Sequence, residues 1–145
     1  SVCGYMRKKN ISLRVRNLIK KYNTRNPYEI CRKMGIDIAY DDLGNTVKGY
    51  YRRVFGGDFI VINLNLSDCL KFWVLLHELG HVVMKHATKN ISFMKDNFLN
   101  FSDKLEIEAH VFVAEFLLST EEFEFVPTEE EKKILNRIME LRNKY

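Results

Sequence analysis

Long apolar runs are missing from this 145-residue chain; the longest is Phe72 to Leu76. That is far short of the roughly 18 residues a membrane-crossing helix needs, so no membrane partner is expected. Cysteine is scarce and odd in number: Cys3, Cys31 and Cys69 stand far apart and form no CxxC pair. A disulfide scaffold and a thiolate zinc site are therefore both excluded, and a reducing cytoplasm is the expected compartment. Only two prolines occur, Pro27 and Pro127, so little of the chain reads as rigid linker. There are no repeats and no low-complexity tracts. The first residues, Ser1 to Lys9, carry charge with no apolar segment behind it, which does not read as a secretory signal.

What is present suits one folded domain over residues 1–145. A hydrophobic fraction of 46% supplies a core, and the net charge of +4 is mildly basic. The excess sits early, in Arg7, Lys8, Lys9, Arg14, Arg16, Lys20 and Lys21. A solvated helix face explains it more simply than a nucleic-acid patch does.

Residues 1–10 are expected to form a mobile arm, followed by a helix from Ile11 to Tyr22. Asn26-Pro27-Tyr28-Glu29 combines a capping residue, a proline at the first helical position and a glutamate three residues after the cap. That second helix should end at Met34-Gly35. Ile36 to Tyr40 alternates like a strand. The stretches 47–55 and 58–63 flank Gly56-Gly57 and read as a hairpin. A long helix is expected from Ser67-Asp68 to about Lys85. After a polar loop, another should run from Ser102-Asp103 to Leu118. Thr128-Glu129-Glu130-Glu131 is a capping box opening a last helix over 128–144. The order predicts an α+β domain with a small, mostly antiparallel sheet of three or four strands.

The chemistry centres on His77-Glu78-Leu79-Gly80-His81, an HExxH sequence. At this composition about 0.01 chance matches are expected. On a helix the two histidines lie about 40° apart, one turn from each other. Their imidazoles can converge on one Zn2+, with Glu78 beside the ion as general base for an attacking water. The surrounding helix, with Leu70, Trp73, Val74, Leu75, Leu76 and Leu79, is apolar nearly all round and so should be central. Buried imidazoles and a buried carboxylate cost several kcal/mol unless paired or metal-bound. The alternative is a seam of ordinary surface charges formed by Lys71, Glu78, His81 and Lys85.

A catalytic zinc takes a third protein ligand. His86 lies about 180° from His77 on a continuous helix and is set aside on that ground. The metzincin pattern needs glycine at position 84 and histidine at 87, where the chain has Met84 and Ala87. The following helix offers Asp103, Glu106, Glu108, His110 and Glu115. Glu108, beside the small Ala109 at the edge of an apolar face, fits best among them, without excluding the others.

The segments from His77 to His86 and from Glu106 to Leu118 together resemble the ImmA/IrrE family of metallo-endopeptidases. That family carries HELGH with a histidine a few residues later, then a helix like E-x-E-A-N-x-F-A-x-E-L-L. The resemblance covers roughly residues 24–120. It implies a zincin-like fold of the gluzincin type, with the sheet packed on a central active-site helix and Glu108 as third ligand beside His77 and His81. It also implies a cytoplasmic protease whose protein substrate is a helix-turn-helix repressor of a phage or mobile element. Two positions depart from the pattern: His110 stands where asparagine is usual and Val113 where alanine is. His110 is thus expected either behind the ligands or in competition with Glu108; Glu115 is a further competitor for that place.

Two other readings accompany this one. The chain could be a zinc-binding regulator without proteolysis. The helix pair from Leu13 to Gly35 superficially resembles a DNA-binding helix-turn-helix, but no recognition helix stands out, so direct nucleic-acid binding is not expected. Tyr40, Tyr50 and Tyr51 are weak candidates for stabilising an oxyanion. Nothing in the sequence sets an oligomeric state.

Overall fold

The computed structural model describes residues 2–86, 92–95, 104–120 and 125–144, with the backbone alone for 2–9 and 92–95. Five helices and four strands follow one another as α1 (Val2–Tyr22), α2 (Pro27–Met34), β1 (Asp37–Asp41), β2 (Val47–Val54), β3 (Gly57–Asn63), α3 (Asp68–Val83), β4 (Ser92–Lys95), α4 (Lys104–Leu118) and α5 (Glu129–Lys144). The class is α+β, as the order of elements implies.

The sheet runs β1-β3-β2-β4. β2 pairs antiparallel with both β3 and β4, and β1 lies parallel to β3. β4 falls within the stretch read from sequence as a polar loop. The hairpin forms where expected but turns one residue earlier. Val54 pairs with Gly57, and the two-residue turn is Phe55-Gly56, both at positive φ (49° and 77°). That is the geometry which matches the right-handed twist of paired strands. The loop entering β2 is tied to the end of β3 by buried Asn63, whose amide donates to the carbonyls of Gly44 (2.9 Å) and Val47 (2.8 Å).

α1 begins at Val2, not Ile11. The segment assigned to an arm is the start of this helix. Met6, Arg7, Lys8 and Lys9 are all good helix formers, so nothing local stops it there. Ile11, Val15 and Leu18 form its buried stripe, and Arg14, Arg16, Lys20 and Lys21 are exposed away from it.

Two helices occupy the centre. α3 packs against β2 and β3 on one side and α4 on another, while α1 and α5 cover α4. Residues 73–81 of α3 and 109–117 of α4 are all buried. Both close approaches of α3 depend on a glycine. A Cβ on Gly49 of β2 would stand 2.5 Å from Val74 Cγ1, and one on Gly80 would stand 3.0 Å from the Phe112 ring. The helix bearing HExxH is thus held at close range between sheet and α4. The N-termini of α3 and α5 are joined as well. The Ser67 hydroxyl donates to Glu131 (2.7 Å), and Glu131 also accepts from the Thr128 amide (2.8 Å) in the expected capping box.

Candidate metal centre

α3 is capped by Ser67, whose hydroxyl accepts from the Leu70 amide, and continues without a break through the motif. His77 and Glu78 are fully buried and His81 nearly so. The seam of surface charges is therefore not what these residues form. One turn of helix brings the two Nε2 atoms within 3.2 Å of each other. This spacing follows from the i, i+4 relation alone.

α4 supplies the third group, and it is Glu106. Its Oε2 lies 2.9 Å from His77 Nε2 and its Oε1 3.0 Å from His81 Nε2. Among the described residues these three side chains form the group able to hold a metal ion. Glu108, the carboxylate expected from sequence, does not join them. It lies against His86, 2.9 Å from its Nε2. The two glutamates are about 200° apart on the helix, so only one can face α3's histidines. Phe112 rests on Gly80; Glu106, about 120° round the helix from it, meets His77 and His81, whereas Glu108, about 40° from it, meets His86 instead.

His110, one turn after Glu106, packs its ring 4.5 Å from that of His77. Glu115 is elsewhere, accepting from Arg142 Nε of α5 at 2.7 Å. Asp103 lies outside the described residues. Of the tyrosine candidates, Tyr51 donates to Asp58 (2.7 Å) at the hairpin, and Tyr40 is exposed beside Lys71.

The donor set fits zinc. An ideal tetrahedral site with ligands at about 2.05 Å places donor atoms about 3.3 Å apart. The closest spacings here are 2.9, 3.0 and 3.2 Å, the first two made by different oxygens of Glu106, so the carboxylate spans both imidazoles and the three groups lie close enough to share one ion. Two imidazoles and one carboxylate are also the ligand chemistry of catalytic zinc in many hydrolases. Electrostatics point the same way. Burial works to raise the Glu106 carboxyl, but the bonds from His77 and His81 outweigh it and hold the group far below the usual carboxylate range. Burial pushes His77 down, and pushes His110 well down with the neighbouring His77 adding to it. Glu78 is pushed well up, first by burial and then by the charge of Glu106. Neither Glu78 oxygen has a hydrogen-bond partner among the described residues. A fully buried carboxylate with no donor is a costly arrangement that a nearby cation would relieve.

The end of α3 is unexpected. The helix stops at Val83, and Lys85 adopts the left-handed conformation (φ 52°). The His86 amide then donates to the His81 carbonyl (3.0 Å) and the Lys85 amide to that of Val82 (3.1 Å). These two bonds define a Schellman closure, which returns the chain to the last turn of its own helix. His86 arrives on the outer side of His81, Nδ1 to Nδ1 at 2.9 Å.

The family model described as the IrrE N-terminal-like domain, a peptidase family, matches residues 31–145. "Uncharacterized immunity region protein 2" of Bacillus phage phi105 is 40% identical over 108 residues, 74% of this chain and 68% of that protein. "Metallopeptidase ImmA" of Bacillus subtilis (strain 168) is 32% identical over 111 residues, 77% of this chain and 64% of that protein. The chain thus spans about two thirds of the length of the relatives it matches. No solved structure is significantly similar.

Proposed function

The chain belongs to the IrrE N-terminal-like peptidase family, and from that premise we propose that it is a zinc-dependent endopeptidase. His77, His81 and Glu106 hold the ion, and Glu78 is the general base. The observation that carries the reading is the convergence of two buried imidazoles and a half-buried carboxylate beside a buried carboxylate with no hydrogen-bond partner among the described residues. When bound, zinc polarises the scissile carbonyl and makes water acidic enough to give up a proton near neutral pH.

The chain's own residues do the rest. His77 and His81 present their Nε2 atoms from adjacent turns of one rigid helix, so the site needs little reorganisation. Glu106 adds the negative charge and, as a carboxylate on a second helix, closes the site. Glu78 takes the proton of the attacking water at a carboxylate oxygen and delivers it to the leaving amine. Neither of its oxygens must break a hydrogen bond to do so.

For the substrate we propose a helix-turn-helix repressor of a phage or mobile element, cut in the cytoplasm. Support comes from the phage relative, whose name places it in an immunity region. No described helix is long and apolar enough to cross a membrane, and Cys31 and Cys69 are free thiols. The test is Glu78→Gln, assayed on the repressor encoded beside this gene. The variant should keep its metal and its fold and lose about 10²–10⁴-fold in cleavage rate. Cleavage at the wild-type rate would remove Glu78 from the mechanism.

A further inference from the structure

Two side chains next to the metal centre have no place in that mechanism, His86 and Glu108. We infer that they are positioning residues, a relay that fixes the tautomer and pose of His81 as a metal ligand. The inference rests on the metal site proposed above.

The relay runs in one line. Glu108 Oε2 lies 2.9 Å from His86 Nε2, and His86 Nδ1 lies 2.9 Å from His81 Nδ1. A carboxylate can only accept, so His86 must donate from Nε2. A neutral imidazole that donates from one nitrogen accepts at the other, so His86 Nδ1 accepts and His81 Nδ1 donates. An ion at this site takes the place of the contact between His81 Nε2 and Glu106 Oε1 (3.0 Å), and the relay then keeps the proton on His81 Nδ1 and the lone pair on Nε2, the atom facing His77 and Glu106. Each proton position follows from the one before it. The arrangement extends the carboxylate–histidine–metal pattern by one imidazole.

The backbone is shaped for this contact. Left-handed backbone at a residue with a side chain costs about 1–2 kcal/mol, and Lys85 adopts it where glycine is usual. The closure puts His86 over the turn that carries His81, and residues 81 and 86 meet through their rings as well as their backbones. An apolar contact commonly fills this place in such closures; here a polar pair fills it, and Glu108 from α4 completes it. His81 is therefore held from both helices. The outer nitrogen of His77 has no hydrogen-bond partner among the described residues, so the relay serves one ligand of the two.

The experiment measures zinc affinity of the metal-free full chain by competition with a chromophoric chelator, and the visible spectrum after Co2+ is added. Wild type should bind one ion per chain, and His77→Ala should not. His86→Ala should bind zinc about 10–100-fold more weakly and shift the Co2+ bands. His86→Gln should restore most of the affinity, because its amide oxygen accepts and its amide nitrogen donates at nearly the imidazole spacing. Glu108→Gln should bind about tenfold more weakly, and it decides the matter if His86→Ala does not fold. Wild-type zinc affinity and spectrum in His86→Ala, or in Glu108→Gln, overturn the relay and leave the metal site standing. A His86→Gln variant as weak as His86→Ala also overturns it, since the role would then be packing alone. A wild-type chain that binds no zinc overturns both readings together.

Discussion

Replacing Glu106 and Glu108 in turn by glutamine separates two roles that neighbour each other in sequence. Of the two, Glu106 touches both motif histidines, at 2.9 and 3.0 Å; Glu108 reaches His81 alone, through His86. Glutamine keeps the volume and one carbonyl acceptor but removes the charge. At free zinc a hundredfold above its dissociation constant, a ligand that binds only the folded state adds about 2.7 kcal/mol. For a domain of this size that raises the melting temperature by roughly 8–11 °C, at about 3–4 °C per kcal/mol. Glu108→Gln, weakened about tenfold, faces the same zinc at only ten times its own constant. The gain falls to about 1.4 kcal/mol, roughly 4–6 °C.

Glu106→Gln loses one of three protein ligands. If the ligands share roughly 10 kcal/mol of zinc binding evenly, that is about 3 kcal/mol, a loss of 10²-fold or more. At the same zinc the gain is then no more than about 0.4 kcal/mol, or 1–2 °C. The assay is thermal denaturation of each protein with zinc and with chelator. Only the difference between the two melts is read, so any change in metal-free stability cancels. The reasoning fails if Glu108→Gln abolishes the zinc-dependent rise while Glu106→Gln keeps the full 8–11 °C expected of wild type.

Three other perturbations test the scaffold. Lys85→Gly removes the left-handed strain (φ 52°) and should stabilise the protein by about 0.5–1 kcal/mol in urea unfolding, once the extra entropy of glycine in the unfolded chain is counted. Gly80→Ala gains about 1 kcal/mol of helix propensity. It also pushes a methyl to 3.0 Å from the buried Phe112 ring, and overpacking of this kind costs about 1–3 kcal/mol. A net loss near 1 kcal/mol is expected, recovered in part by adding Phe112→Leu. Glu131→Gln removes a carboxylate bonded by Ser67 and Thr128. Burial works to raise that group, but those bonds outweigh it and hold it below its ordinary value. A lowered folded pKa means the stabilisation is complete above the unfolded value and disappears as pH falls through the folded one. The variant should therefore be about 1–2 kcal/mol less stable at pH 7 and converge with wild type in acid. A gap that widens on acidification would show that Glu131 does not stabilise through its charge.

Much of the fold was written in local signals. Asn26-Pro27 and Gly35 bound α2 because capping and left-handed closure are decided by a few adjacent atoms. The hairpin was legible for the same reason, although its turn is Phe55-Gly56, since an exposed phenylalanine can take positive φ where a strand register demands it. β4 was not legible. Its four residues gain their pairing from β2, some forty positions away in sequence. The parallel contact of β1 with β3 was hidden likewise, because it depends on where the intervening hairpin lies.

The site divides along the same line. HExxH lies on one helix, so its geometry is a property of that helix and could be read from spacing. Which carboxylate joins the two histidines depends on the rotation of α4 about its own axis. Residues 109–117 are buried on every side, so no polar face reveals that rotation. The one available signal was His110, a histidine one turn after Glu106 that shares its face of the helix.

The exclusion of His86 had a related cause. Helical angles apply only while the helix lasts, and α3 ends two residues before Lys85. Beyond a Schellman closure the chain folds back over the last turn, so residue 86 meets residue 81. With His86 placed there, it requires a carboxylate on its far side, and Glu108 is the one within reach. The glutamate that remains for His77 and His81 is then Glu106. The choice between the two carboxylates and the place of the extra histidine are one question, answered by where the helix carrying HExxH stops.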